Sequence, residues 1–105
     1  MQFLLNTDQH IHGDQRLAEI AEDTVTAALG PLVNRLTRVE VHLRDVNAQK
    51  GGADDIRCVI EARPEGLQPH SVSHDEATVA AALKGAARKL RSHLDSEFGR
   101  LETRR

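Results

Sequence analysis

The sequence predicts a single α+β domain in which one strand and one helix are followed by three strands and a second helix. Two segments, 38–44 and 56–63, alternate between apolar and polar residues, as half-buried strands do. Two longer segments repeat apolar residues every three or four positions, as one face of a helix requires. A chain of 105 residues is large enough for one modest core. We expect the domain to span 1–101, with 102–105 as a frayed tail.

The first strand and helix are predicted before position 37. Gln2–Thr7 has the composition of a short strand, and Asp14 is a plausible N-cap of the helix that follows. Because Gly30 and the proline after it interrupt the pattern, the helix either ends near Leu29 or continues, kinked, to about Leu36. The apolar face comprises Leu17, Ala21, Val25, Ala28, Leu32 and Leu36.

Three strands and a long helix are predicted after position 37. The inward positions of the two clear strands are Val39, Val41 and Leu43 in one, and Ile56, Cys58, Ile60 and Ala62 in the other. The segment 70–74 is a weaker strand, expected at an edge. The last helix is expected from about Asp75, with Ser73 or Asp75 as its cap and Glu76 in its first turn. Its apolar stripe comprises Val79, Leu83, Ala86, Ala87, Leu90, Leu94, Phe98 and Leu101.

The segment 45–58, DVNAQKGGADDIRC, is expected to be the hairpin loop between two strands. A phosphate-binding P-loop would need a lysine after its glycines and then a helix, whereas Lys50 precedes Gly51 and a strand follows. The ligand spacing of a calcium loop is also absent. Lys50 is therefore either a solvated residue or a contact to phosphate in a large partner. Cys58 falls on the inward face, where a cysteine is usually a small core residue.

The composition excludes several classes of function. With only two phenylalanines and no Trp or Tyr, a nucleic-acid surface of stacking aromatics is nearly excluded. One cysteine cannot form an internal disulfide, which is consistent with a reducing cytoplasm, and neither a signal peptide nor a membrane span is expected. The six histidines lack the spacing of a metal site, and no nucleophile lies in a recognisable catalytic motif. We therefore expect no enzyme, cofactor or metal, with a small metal-dependent enzyme as a remote alternative.

Charge is segregated along the chain, although the net charge is only −2. Residues 1–30 carry five acids and one arginine, whereas residues 84–105 carry seven bases and three acids. On the last helix Lys84, Arg88 and Arg91 recur at helical spacing opposite the apolar stripe, with Lys89 on the flank. Such a ridge is either a solvated helix face or a surface for successive phosphates, and binding through it alone would be weak and sensitive to salt.

The order of elements, the strand RVEVHL, the strand IRCVIEA and the final AAALKGAARKLRSHL resemble the ribosome hibernation factor and ribosome-associated translation inhibitor family. The resemblance covers about residues 1–101. It implies a four-stranded sheet with both helices on one face, similar to a double-stranded-RNA-binding domain. It also implies binding to the small ribosomal subunit, inhibition of translation under stress, and no cofactor. The implied RNA-binding residues are Lys84, Arg88, Lys89 and Arg91 on the last helix, with Arg35, Arg38 and Lys50 as further candidates.

The first helix differs from the family, because acidic side chains stand where positive charge is expected. These are Glu19, Glu22 and Asp23. They suggest an alternative function: a protein-interaction module of the same fold that has lost ribosome binding and meets a basic protein partner through this helix. A monomer or a weak dimer is expected in either case.

Overall fold

The element order expected from the sequence is confirmed in the computed structural model, which describes residues 1–47 and 55–103. The strands are β1 (Gln2–Thr7), β2 (Leu36–Asp45), β3 (Ile56–Pro64) and β4 (His70–Glu76). The helices are α1 (Gln15–Leu29) and α2 (Val79–Thr103), and a 3-10 helix, Gly30–Arg35, joins α1 to β2. Positions 104–105 lie outside the described residues, so the expected domain boundary at 101 stays a prediction.

The four strands form one sheet in the order β1-β2-β3-β4. β1 runs parallel to β2, with Phe3 beside Val39, because α1 carries the chain back to the start of the sheet before β2 begins. β2, β3 and β4 are antiparallel neighbours, with Val41 opposite Ile60. The sheet is therefore a mixed one, and α1 and α2 cover one of its two faces.

The core lies between the helices and that covered face. The strand positions predicted to point inward are buried, and so is the apolar stripe of α2 apart from its half-buried ends, Val79 and Leu101. Cys58 is fully buried among these aliphatic side chains, as expected for a core residue. No helix formed by the described residues covers the other face of the sheet, and the polar side chains on it face solvent. We refer to it as the open face.

The first helix follows the earlier of the two predicted endings. Asp14 is its N-cap: Oδ1 accepts a hydrogen bond from the backbone N–H of Leu17 at 2.9 Å. At the other end Gly30 has a φ of 56°, a conformation that a residue with a Cβ rarely adopts. The chain then continues as the 3-10 helix rather than as a kinked α-helix.

The predicted caps of α2 are wrong. Ser73, Asp75 and Glu76 lie in β4, because pairing with β3 continues to the end of that strand. Thr78 caps the helix instead: its Oγ1 accepts from the backbone N–H of Ala81 at 3.2 Å. The threonine satisfies one of the donors that every helix start leaves free.

The loop between β2 and β3 connects antiparallel neighbours, so the hairpin prediction is confirmed. Val46 N–H donates to the carbonyl of Asp55 at 2.7 Å where the loop leaves and rejoins the sheet. Lys50, Gly51 and Gly52 lie outside the described residues. Within the described part of the chain, neither helix combines the length and the apolar character needed to cross a bilayer.

Candidate nucleic-acid interface

Lys84 and Arg88 lie one turn apart on the outer side of α2. The segment around them is rich in alanine, the best helix former, and its opposite side is buried through Leu83 and Ala87. Both basic side chains are exposed, and neither has an acidic partner among the described residues. Unpaired, exposed cations at helical spacing can contact phosphate without first breaking an internal salt bridge.

Arg88 lies between two surface grooves. The first runs between α1 and α2 and has a volume of about 540 Å³. The second runs between α2 and β4 and has a volume of about 680 Å³. Lys84 lines the first groove and Lys89 lines the second, so cations border both. A backbone laid along α2 would meet positive charge from either side.

Lys89 contacts the sheet as well as solvent. Its Nζ donates a hydrogen bond to the backbone carbonyl of Ser73 in β4 at 2.9 Å. An ammonium group has three donors, so two remain available for a ligand. The contact holds the charge at the border of the second groove.

Arg91 is bound within the protein. Its Nη1 donates to the carbonyls of Ala28 and Leu29, both at 3.1 Å, and its Nε lies 2.9 Å from Oδ2 of Asp95. The last carbonyls of a helix have no partner inside the helix, and Arg91 supplies one for the end of α1. The i, i+4 spacing of Arg91 and Asp95 was visible in the sequence, but the contact with α1 was not.

Arg35 and Arg38 lie apart from the other predicted residues. The guanidinium of Arg35 stacks on the ring of Phe98, 3.6 Å from its centroid, towards the C-terminal end of α2. Arg38 lies on the open face, where its Nη2 donates to Oε1 of Glu40 at 2.8 Å. The structure thus groups the four bases of α2 and separates these two arginines from them.

The outer side of α1 is acidic, next to the basic side of α2. Glu22 and Asp23 are exposed and form no ion pair among the described residues, while Glu19 accepts a weak hydrogen bond from Gln15 at 3.4 Å. Ile20, one turn before Asp23, is 42% exposed. This combination of free acids and one exposed apolar side chain is typical of a surface that could contact a protein.

The cysteine and the histidines do not form a reactive centre among the described residues. Burial raises the pKa of the Cys58 thiol to about 12, so the nucleophilic thiolate is absent near neutral pH. The rings of His70 and His93 meet edge to face, 4.8 Å between centroids. In the described ranges no three His, Cys, Asp or Glu side chains converge on a position that could hold a metal ion.

The open face carries charged residues that the sequence patterns did not single out as a site. Arg57 binds Asp75 through two hydrogen bonds, Nε to Oδ1 at 2.9 Å and Nη2 to Oδ2 at 3.1 Å. The hydrogen bonds from Arg57 and its positive charge hold the pKa of Asp75 below its usual range, and the Asp75 carboxylate in turn raises the pKa of Arg57. Strand alternation placed Arg57 outward, but only the register of the sheet identifies its neighbours.

Comparison with protein-family models and with curated protein sequences finds no match. The fold, however, is that of known structures. A ribosomal subunit interface protein from Coxiella burnetii superposes with a TM-score of 0.72 at 11% identity, covering 94% of this chain and 99% of that one. The N-terminal domain of Thermus thermophilus Protein Y gives 0.68 at 18% identity, covering 89% and 94%. The fold implied by the family resemblance is thereby confirmed.

Proposed function

We propose that this protein is a cytoplasmic, non-enzymatic factor that associates with the small ribosomal subunit and restrains translation under stress. The observation that carries the proposal is the pair Lys84 and Arg88, exposed on one side of α2 and unpaired within the described residues. The fold supports it, because a structure of similar fold is described as a ribosomal subunit interface protein. No cofactor enters this function.

The contact is with ribosomal RNA, and it depends on phosphates rather than on base sequence. Domains of similar architecture recognise RNA by shape and by backbone contacts. Lys84 and Arg88 would bind successive phosphates, Lys89 would add its two remaining donors, and Arg91 would hold α1 and α2 in place beneath them. Arg35 and Arg38, which lie apart from this group, and Lys50, which is outside the described residues, are candidates for further contacts.

The net charge of the chain limits the affinity expected for ribosomal RNA. The chain as a whole is negative, so it is not drawn to RNA by its overall field. Affinity must come from the few bases on α2, and each phosphate contact contributes about one unit to the slope of log affinity against log salt. The ribosome must therefore supply additional contacts by enclosing the domain.

The test is co-sedimentation of the protein with small ribosomal subunits across a salt series, comparing Lys84→Glu/Arg88→Glu with the wild type. We expect binding at low salt that fades steeply with salt and is lost in the double variant. The matched control is Arg16→Glu/Arg63→Glu, which makes the same change in net charge at two exposed positions off the ridge. An equal loss of ribosome binding in both variants would show that only the net charge matters. The absence of pelleting at low salt would overturn the proposal.

The acidic side of α1 favours a second candidate function, a protein-interaction module that has lost ribosome binding. Glu22 and Asp23 form no ion pair among the described residues, and Ile20, which lies one turn before Asp23, is exposed. The variant Glu19→Lys/Asp23→Lys separates the two candidates. If it abolishes binding of a basic protein partner while the α2 variant does not, and the wild type does not pellet with ribosomal subunits, the second function holds.

A further inference from the structure

Like charges face one another across β2 and β3 on the open face. Three directly opposed pairs show this: Arg38 with Arg63, Glu40 with Glu61, and Arg44 with Arg57. Side chains directly opposite on antiparallel strands lie about 5 Å apart at their Cβ atoms, and like charges there destabilise the sheet. Such an arrangement needs compensation from other charges.

Two of the three pairs are compensated along their own strands. The Nη2 of Arg38 lies 2.8 Å from Oε1 of Glu40, and the Nε of Arg63 lies 3.7 Å from Oε1 of Glu61. Arg44 differs, because it is exposed and has no hydrogen bond or ion pair with any described residue. Its positive charge, opposite a second arginine, is left without a counterpart in the described part of the chain.

The partner arginine is held in a fixed orientation with one edge free. Asp75 occupies the edge of the Arg57 guanidinium formed by Nε and Nη2. A guanidinium has a second edge, formed by its two terminal nitrogens, and Nη1 has no acceptor among the described residues. Because the Arg57 side chain is already held in one orientation, it loses little further conformational entropy when it binds a ligand.

A depression of about 340 Å³ lies at this position. It is lined by His42, Arg44, Arg57 and Val59, with two arginines and a histidine around one apolar side chain. The Nε2 of His42 is 3.1 Å from Oε2 of Glu40, which fixes the ring. The volume lies at the lower limit of small-ligand sites, as a small anion requires.

We propose that Arg44 and the free edge of Arg57 form a binding site for a phosphate group, with His42 at its border. Two guanidiniums on one side of a depression match a doubly charged, tetrahedral oxyanion, whereas a carboxylate would occupy only one guanidinium edge. The site lies on the open face, on the opposite side of the sheet from α2. It is therefore separate from the ridge of the proposed ribosome contact and does not depend on it.

The experiment is a titration of the ¹⁵N-labelled protein with inorganic phosphate at constant ionic strength, followed by NMR at the backbone amides and arginine Nε–H groups. We expect saturable shifts, in the millimolar range, confined to positions 42, 44, 57 and 59. Arg44→Gln removes one charge-assisted contact and should weaken binding about tenfold. Arg63→Gln removes an exposed arginine from the same face and should leave binding unchanged.

Shifts that grow linearly with phosphate, or that saturate at the same phosphate concentration in Arg44→Gln as in the wild type, would overturn the proposal, as would equal binding of acetate. Spectra of both variants without phosphate show whether the fold is retained. Two further ligands identify the source of the phosphate. If a nucleoside 5′-monophosphate binds more tightly than inorganic phosphate, the site recognises a terminal phosphate. If a short RNA without a terminal phosphate binds more tightly, the site recognises a phosphodiester backbone.

Discussion

The imidazole of His74 occupies the space in which a side chain at position 85 would have to lie. A Cβ added to Gly85 would overlap three atoms of that ring. Gly85 lies in the second turn of α2, inside the helix, where glycine ordinarily weakens a helix by about 1 kcal/mol relative to alanine. The close approach of α2 to β4 therefore explains why glycine occupies this position, although glycine is a weaker helix former than alanine.

We expect Gly85→Ala to lower the free energy of unfolding by about 1–2 kcal/mol, because overpacking outweighs the gain in helix propensity. In a His74→Ala background the obstruction is gone, and the same substitution should stabilise the protein by up to about 1 kcal/mol. Urea denaturation of the four proteins in this cycle measures the coupling. The same loss in both backgrounds would contradict the contact.

Arg91→Ala should destabilise the fold more than Arg88→Ala, although both arginines lie on the predicted ridge. Removing Arg91 takes a charged donor away from the carbonyls of Ala28 and Leu29, at a cost of about 1 kcal/mol for a partly exposed group. Arg88 has no internal partner and should cost close to nothing. Thermal unfolding of the two variants gives the comparison, and equal stability would show that the bond to α1 is not maintained in solution.

Two carboxylates, those of Asp8 and Asp75, make the free energy of unfolding depend on pH in the acid range. Burial opposes the charge of Asp8, but backbone N–H donors from Asp45 and His10 outweigh it, so its pKa is lowered. The pKa of Asp75 is lowered by Arg57. Both groups stabilise the fold fully above the unfolded pKa of about 3.9, and this contribution is lost as pH falls through the lower folded values.

We therefore expect wild-type stability to fall below about pH 4, and Asp75→Asn to be less stable at pH 6 with a shallower loss on acidification. Urea unfolding midpoints between pH 2.5 and 6 measure both. Glu22→Gln, which removes a carboxylate without an ion pair among the described residues, should keep the wild-type profile. An Asp75→Asn profile parallel to the wild type would exclude the Arg57 pair as the cause.

Cys58 should resist thiol reagents in the folded protein. It is fully buried, and the pKa of its thiol is raised to about 12, so both access and thiolate are lacking. Reaction with a disulfide reagent at pH 8 should proceed only at the rate of unfolding, and immediately in concentrated urea. Rapid labelling of the native protein would place the cysteine outside the core.

The sequence predicted the elements well because strand alternation and helix periodicity report directly on burial. Val39 and Ile60 on the sheet, and Leu83 and Leu90 on α2, all lie where those patterns placed them. The start of α2 was misplaced because Asp75 is a good capping residue in isolation, and only its pairing with Arg57 shows that β4 continues.

The candidate site was less predictable, because spacing on one helix cannot reveal what a long side chain reaches on another. Lys84, Arg88 and Arg91 are equivalent by periodicity, yet only Arg91 is bound to α1. Arg44 and Arg57 lie opposite each other because of the register between β2 and β3, and no local sequence pattern specifies that register. Residue type and spacing identified a ridge, and tertiary contacts distinguished its members.

The hydrogen bond from Lys89 to Ser73 has a consequence for association between copies of the protein. β4 is the last strand of the sheet, and an exposed last strand is a template on which another chain can add a strand of its own. A lysine ammonium held against its backbone places a solvated charge where an incoming strand would dock. Lys89 thus disfavours aggregation through the edge of the sheet, and its replacement by leucine would favour pairing of β4 with a strand of another copy.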